Sequence, residues 1–127
     1  IGTRQIFAKV PEADGYPDGM TVDAEGYLWS AHWDGWRISR YRPDGALDRV
    51  LEVPVPRPTA VAFAGPAGGR LIFTSALPDD PESVTPSNSG ALLAVDVATT
   101  GPASPRLPPD FNLERALAQV HHEPTVA

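Results

Sequence analysis

Residues 15–42 read GYPDGMTVDAEGYLWSAHWDGWRISRYR, and the spacing of turn and apolar positions in this stretch decides the fold. Asp23-Ala24-Glu25-Gly26 and Asp34-Gly35 are turn signals, because Asp and Gly tolerate the dihedrals of tight reversals. Gly15-Tyr16-Pro17-Asp18-Gly19 is a further run of turn residues. Between them lie short apolar or alternating segments at residues 20–22, 27–31 and 36–41. Outward from this stretch, residues 6–10 (IFAKV) are a candidate strand, and Pro43-Asp44-Gly45 turns the chain into another at 47–53. Short strands at spacings of roughly ten residues, joined by Gly, Asp and Pro, read as antiparallel all-β.

The pattern then recurs. Val61-Ala62-Phe63 matches Met20-Thr21-Val22, forty-one residues earlier, and Leu71-Ile72-Phe73 matches Leu28-Trp29-Ser30, forty-three residues earlier. Residues 90–96 (GALLAVD) correspond to 36–42 (WRISRYR), with an insertion at 78–89. Arg4-Gln5-Ile6-Phe7 aligns with Asp48-Arg49-Val50-Leu51. A four-strand unit repeating every ~40–45 residues has the period of β-propeller blades. One such sheet has two faces to cover, and stacking sheets around an axis covers both. The expected architecture is a partial β-propeller of about two to two and a half four-stranded blades, against roughly four to eight in a closed ring. Uncovered faces and edges are then expected, and with them low stability or self-association. A two-sheet sandwich is the structural alternative.

Composition bounds the rest. At 127 residues with 42% hydrophobic content, the chain has the size of one domain and is not disordered. Its 11 glycines and 15 prolines are about a fifth of the chain against a usual ~12%, which argues against a helical bundle. No cysteine is present, so a disulfide scaffold, a thiol nucleophile and thiolate-held metal are excluded, and a cytoplasmic location is expected. The net charge is −6 with no basic cluster, so no nucleic-acid partner is expected. No apolar run approaches the ~20 residues of a membrane span, and no leader pattern is visible. Ile1 opens mid-pattern without a Met, as expected of a piece of a longer protein. Residues 99–109 are Pro-rich, and 113–123 (LERALAQVHHE) pattern as a short helix with Asn112 as its cap. The expected organisation is a propeller-like region at 1–109 and a tail at 110–127.

Few residues suggest chemistry. Asp18, flanked by Pro17 and Gly19, offers a hard oxygen ligand of the kind that suits calcium, magnesium or zinc; equally, it reads as a turn aspartate bonded to its own backbone. Asp23 and Glu25 read as solvated carboxylates of a hairpin turn, since their spacing does not make an EF-hand loop. His32 and Trp33 end an inner strand, where they could line a sugar pocket. Trp29 and Trp36 read as packing between blades, and Trp33 reads as well in that role as in a pocket. His121 and His122 are adjacent on the expected helix and point about 100° apart, which disfavours a shared metal. No G-x-S-x-G elbow, P-loop or G-x-G-x-x-G run occurs.

Residues 15–32, with their PDGM and D-x-E-G-x-L-W motifs, resemble the senescence-marker/gluconolactonase family, the regucalcin-like sugar lactonases. Residues 33–47 (WDGWRISRYRPDGAL) resemble that family's following strand and turn, and 53–76 (VPVPRPTAVAFAGPAGGRLIFTSA) its next blade. The resemblance covers residues 1–109 and stops before the tail. It implies a six-bladed parent propeller about twice this length, one axial divalent metal, calcium or zinc, and hydrolysis of small sugar lactones. The family's ligands are a glutamate, an asparagine and an aspartate. The aspartate falls at Asp18, which is also the candidate general base. The other two ligands, and the family's substrate-binding arginine and asparagine, have no counterpart here, as though an N-terminal half were missing. Trp33 is the candidate substrate contact within this chain. Two functions follow: part of a metal-dependent lactonase, or a non-catalytic fragment that binds metal or a partner.

Overall fold

Alternating residues along each short segment divide between a core face and an outer face, and this alternation builds two sheets. The computed structural model describes residues 2–65, 67–77, 86–103, 109 and 112. A single 3-10 turn, Glu12–Asp14, precedes seven strands: β1 (Tyr16–Val22), β2 (Leu28–Trp33), β3 (Arg37–Tyr41), β4 (Leu47–Glu52), β5 (Pro58–Ala64), β6 (Arg70–Ser75) and β7 (Leu92–Asp96). Strands β1 to β4 form one sheet and β5 to β7 a second, each in sequence order. All pairs are antiparallel. This is the all-β, blade-like organisation the repeat implies.

The register shows the repeat in atomic terms. Val22 lies opposite Leu28, and Phe63 opposite Leu71, which reproduces the offsets of forty-one and forty-three residues. Both first strands are irregular at the same place, between Pro17 and Met20 in β1 and between Pro58 and Ala60 in β5. Each irregularity is a bulge, where extra residues on one strand face a single partner. Asp18 and Thr59 occupy equivalent positions in the two bulges.

The core lies between the sheets. Trp29, Ala31 and Ile38 of the first sheet cluster with Val61, Leu71 and Phe73 of the second, together with Val53 and Val55 from the connection. Trp29 meets Phe63 edge to face, with centroids 6.0 Å apart and planes at 89°, a favoured geometry for aromatic quadrupoles. The inner edges adjoin: a Cβ on Gly19 would sit 2.6 Å from the Thr59 carbonyl oxygen and 2.7 Å from the Ala60 Cα. Only glycine lets β1 approach β5 this closely.

Several boundaries depart from the sequence reading. Residues 6–10 are not a strand. They have the alternation but no ladder partner, and a strand exists only where its backbone groups are paired. Instead, Ile6, Phe7, Ala8 and Val10 line an apolar groove of about 630 Å³ with Met20, Val22 and Leu28 of the first sheet. The turn run at 15–19 contracts to Gly15 (φ 82°), and β1 begins at Tyr16. Pro17 is tolerated there because β1 is an edge strand and Pro17 adjoins its bulge. The second sheet has three strands among the described residues. The helix expected at 113–123 lies outside the described residues, as do His121 and His122.

The outer faces stay apolar and open: Met20 is 56% exposed, Val22 45% and Leu92 68%. We expect this chain to sediment as a dimer or larger species, and the double substitution Met20→Glu and Val22→Glu to shift it toward monomer. A wild-type monomer with cooperative unfolding near ~60 °C or above would contradict that expectation.

Candidate functional site

The carboxylates of the 23–26 turn are not both solvated. Asp23 is 2% exposed and gathers donors from every side. Its Oδ1 accepts the backbone N–H groups of Glu25 and Tyr27, both at 3.0 Å. Its Oδ2 accepts the Trp29 indole N–H at 2.9 Å and the Arg40 guanidinium at 2.8 Å through Nε and 2.7 Å through Nη2. Arg40 also reaches Asp48 at 2.9 Å and pairs with the exposed Glu25. Its guanidinium carbon lies 3.8 Å above the centre of the Tyr27 ring. Burial by itself would raise the Asp23 carboxyl pKa. The bonds from Trp29, Tyr27 and Arg40 outweigh it and hold the group below the ordinary carboxylate value. Arg40 is also desolvated, and its three carboxylate partners push its pKa further up. The solvated reading holds for Glu25 and fails for Asp23. The missed signal was Arg40, a charge lying directly opposite the buried Trp29 in the ladder.

Asp18 lies elsewhere, exposed in the β1 bulge. Bulges re-aim side chains, and here the register leaves Asp18 without a ladder partner between Pro17 and Met20. Among the described residues it has no hydrogen bond or ion pair. It is therefore not a turn aspartate bonded to its own backbone.

The segment leading to Asp18 is tightly held. His32, 1% exposed, has its Nδ1 2.9 Å from the Asp14 carbonyl oxygen and its Nε2 3.5 Å from the Tyr41 hydroxyl. A carbonyl only accepts, so Nδ1 carries the proton. The imidazole and the Tyr41 ring are parallel within 7° at 6.4 Å. Arg37 pairs with the Asp14 carboxylate at 2.9 Å. Burial lowers the His32 pKa, and Arg37 adds to the effect against the opposing pull of Asp14. His32 is thus a buried structural imidazole, not the wall of an open pocket.

Trp33 is half-buried beside it. The Arg57 guanidinium carbon sits 4.7 Å from its ring centre, and Arg57 Nε donates to Asp34 at 2.6 Å. Trp36 departs from its expected packing role. It is exposed, with a φ of 55°, in a loop where Asp34 also has a positive φ of 57°. Such conformations cost a non-glycine residue on the order of 1–3 kcal/mol and concentrate at functional sites.

Among the described residues, no group of three or more His, Cys, Asp or Glu side chains could hold a metal. Asp18 fits a hard divalent cation as a single oxygen donor. Calcium takes about six to eight oxygens, so the described residues do not complete a site.

Comparison with known proteins places this geometry in context. Residues 1–77 match the SMP-30/Gluconolactonase/LRE-like family. The pentonolactonase of Haloferax volcanii is 40% identical over 107 residues, covering 80% of this chain and 37% of that protein. The L-arabinolactonase of Azospirillum brasilense is 42% identical over 69% of this chain and 30% of its own length. A calcium-binding protein, regucalcin, from Agrobacterium tumefaciens superposes with a TM-score of 0.71 at 34% identity, over 84% of this chain and 37% of that one. The chain thus spans about a third of the length of these relatives.

Removing the Asp23 carboxylate should cost about 3 kcal/mol, at the low end for a broken buried pair, because Asp48 and Glu25 still face Arg40. Glu25→Gln should cost below ~1 kcal/mol, as for an exposed pair. Urea denaturation of Asp23→Ala and Glu25→Gln checks both. The pH dependence follows from His32. Its folded pKa lies below the unfolded value of 6.5, so the unfolded chain binds more protons between the two values. Stability should rise with pH up to 6.5 and then level. A second loss, from Asp23, should begin only as pH falls below 3.8. Urea titrations of wild type and His32→Asn across pH 4–7 check this: the variant should lose the upper slope.

Proposed function

This chain belongs to the SMP-30/Gluconolactonase/LRE-like family, and on that footing we propose that it is part of a metal-dependent sugar lactonase with Asp18 at the reacting centre. The observation that carries the proposal is Asp18 itself. It is an exposed carboxylate without a partner among the described residues, set in a bulge where the inner edges of two blades adjoin.

Asp18 would contribute one oxygen to calcium or zinc, with the remaining ligands outside the described residues. When bound, the metal would polarise the lactone carbonyl and stabilise the oxyanion. Asp18 takes a proton from water as the water oxygen bonds to the carbonyl carbon. The ring C–O bond then breaks, the proton passes to the departing ring oxygen, and an open-chain aldonic acid results. Trp33 forms a wall of the sugar site. With Arg57 over its ring, a sugar would meet the Trp33–Arg57 pair as one surface. Small aldonolactones are the proposed substrate class, from the lactonases this chain is similar to. The proposed location is the cytoplasm. Among the described residues no helix is long and apolar enough to cross a membrane.

A second reading is a non-catalytic module that binds metal or a partner. It is favoured by the ligand set, since among the described residues no group of three or more His, Cys, Asp or Glu side chains stands with Asp18. Turnover separates the two. In the full-length protein, lactone hydrolysis should vanish with EDTA and return with calcium or zinc. Asp18→Asn keeps the size and removes the charge, and should lower kcat/KM by about 10²–10⁴. Glu25→Gln should stay within a few-fold of wild type. Equal rates for wild type and Asp18→Asn at saturating metal would reject the assignment. Retained metal binding with lost turnover would assign Asp18 to the base role alone.

A further inference from the structure

We propose that His32 is a positioning residue for Asp18, an inference that rests on the reading of Asp18 given above. The bulge explains why one is needed. Asp18 and Gly19 fall between the paired positions Pro17–His32 and Met20–Ser30, so the ladder does not hold Asp18 directly. Its aim depends on the anchors at either side. The downstream anchor is an ordinary strand pair. The upstream anchor is the short start of the strand, the pairs Tyr16–Trp33 and Pro17–His32, where β1 has only two residues before the bulge.

The His32 ring adds a tie outside the ladder at that end of the strand. It holds the Asp14 carbonyl at 2.9 Å and so ties the Glu12–Asp14 turn to β2. Arg37, on β3, holds the Asp14 side chain at 2.9 Å. Gly15 then passes against the Trp33 carbonyl oxygen and Gly35 so closely that a Cβ would clash with both. At φ 82°, Gly15 directs the chain into Tyr16 and the bulge. The Tyr41 ring closes the other side of the imidazole. Tyr41 and the Asp14–Arg37 pair are the titratable and charged groups found around the ring. Three residues separate the held carbonyl from Asp18: Gly15 is constrained by its close approach to Trp33 and Gly35, Tyr16 by its pairing with Trp33, and Pro17 by its ring. A shift of the Asp14 turn would therefore move the Asp18 carboxylate.

An imidazole serving only as filler would be replaceable by any side chain of its size. A positioning imidazole needs a donor where Nδ1 stands. Asn presents its amide near the Nδ1 position, and Gln near the Nε2 position. The test compares His32→Asn, His32→Gln and His32→Ala in the full-length protein. Readouts are amide hydrogen exchange across residues 13–20, calcium titration, and kcat and KM on a pentonolactone. His32→Ala should speed exchange in that segment and lower kcat about a hundred-fold, the cost of an ångström-scale misplacement, with KM within a few-fold. His32→Asn should restore both and His32→Gln should not. If His32→Ala does not fold, the Asn and Gln pair still decides. Equal rescue by Asn and Gln, or unchanged exchange and kcat in His32→Ala, would overturn the proposal. If the wild type hydrolyses no lactone, the proposed function falls, and the exchange and calcium arms still decide whether His32 holds this segment.

Discussion

The buried Asp23 carboxylate is the constraint on which the first sheet depends. It closes the β1–β2 turn by accepting two backbone N–H groups, and it clamps Trp29 and Arg40 across the adjoining strands. A buried carboxylate is tolerable only when its lone pairs are filled, and here five donor bonds fill them. Trp29 is oriented by its indole N–H, and that orientation presents its ring edge to Phe63 of the second sheet. One polar contact therefore sets both the turn within a blade and the packing between blades. Such a network specifies a register as much as it stabilises one, because a slip of one residue would bury Arg40 without partners.

The architecture repeats while the chemistry does not. Both blades begin with a bulged strand paired to the second strand of its own sheet, and both bulges lie at the edge where the sheets adjoin. In the first blade the bulge carries Asp18, and in the second Thr59, whose hydroxyl is 2.7 Å from that of Thr74. The bulge is a backbone device that presents whichever side chain it holds. A single position can then carry an ionisable group without changing how the blades stack. The loop at 34–36, with two left-handed non-glycine residues, and the Trp33–Arg57–Asp34 cluster project from the end of the first sheet where β1 begins.

The local alternation and turn chemistry made the strands legible. Asp23–Gly26, Asp34-Gly35 and Pro43–Gly45 punctuate them, and the offsets of forty-one and forty-three residues reappear as ladder register. The failures share a cause. Residues 6–10 alternate as a strand does, yet pairing needs a partner that local pattern cannot supply. Asp23 has the composition of a turn and the environment of a core, because the residue that neutralises it stands seventeen positions away. Trp29 and Trp36 look alike in sequence. One is buried by the second sheet and the other is raised into solvent by a left-handed loop residue.

By itself, the sequence determined the all-β class, the blade period and most turn positions, because each rests on neighbours within a few residues or on a simple repeat. The candidacy of Asp18 came instead from the resemblance of its PDGM motif to a known family. Only the tertiary structure decided which carboxylate is buried and which is exposed, since burial depends on what another strand brings to the same place. It decided that Asp23 is held by Arg40, that Asp18 is left without a partner among the described residues, and that His32 faces Asp14 instead of a pocket. The physical reason is the same in each case. A side chain's charge, aim and solvation are set by the groups packed against it, and those groups are distant in sequence.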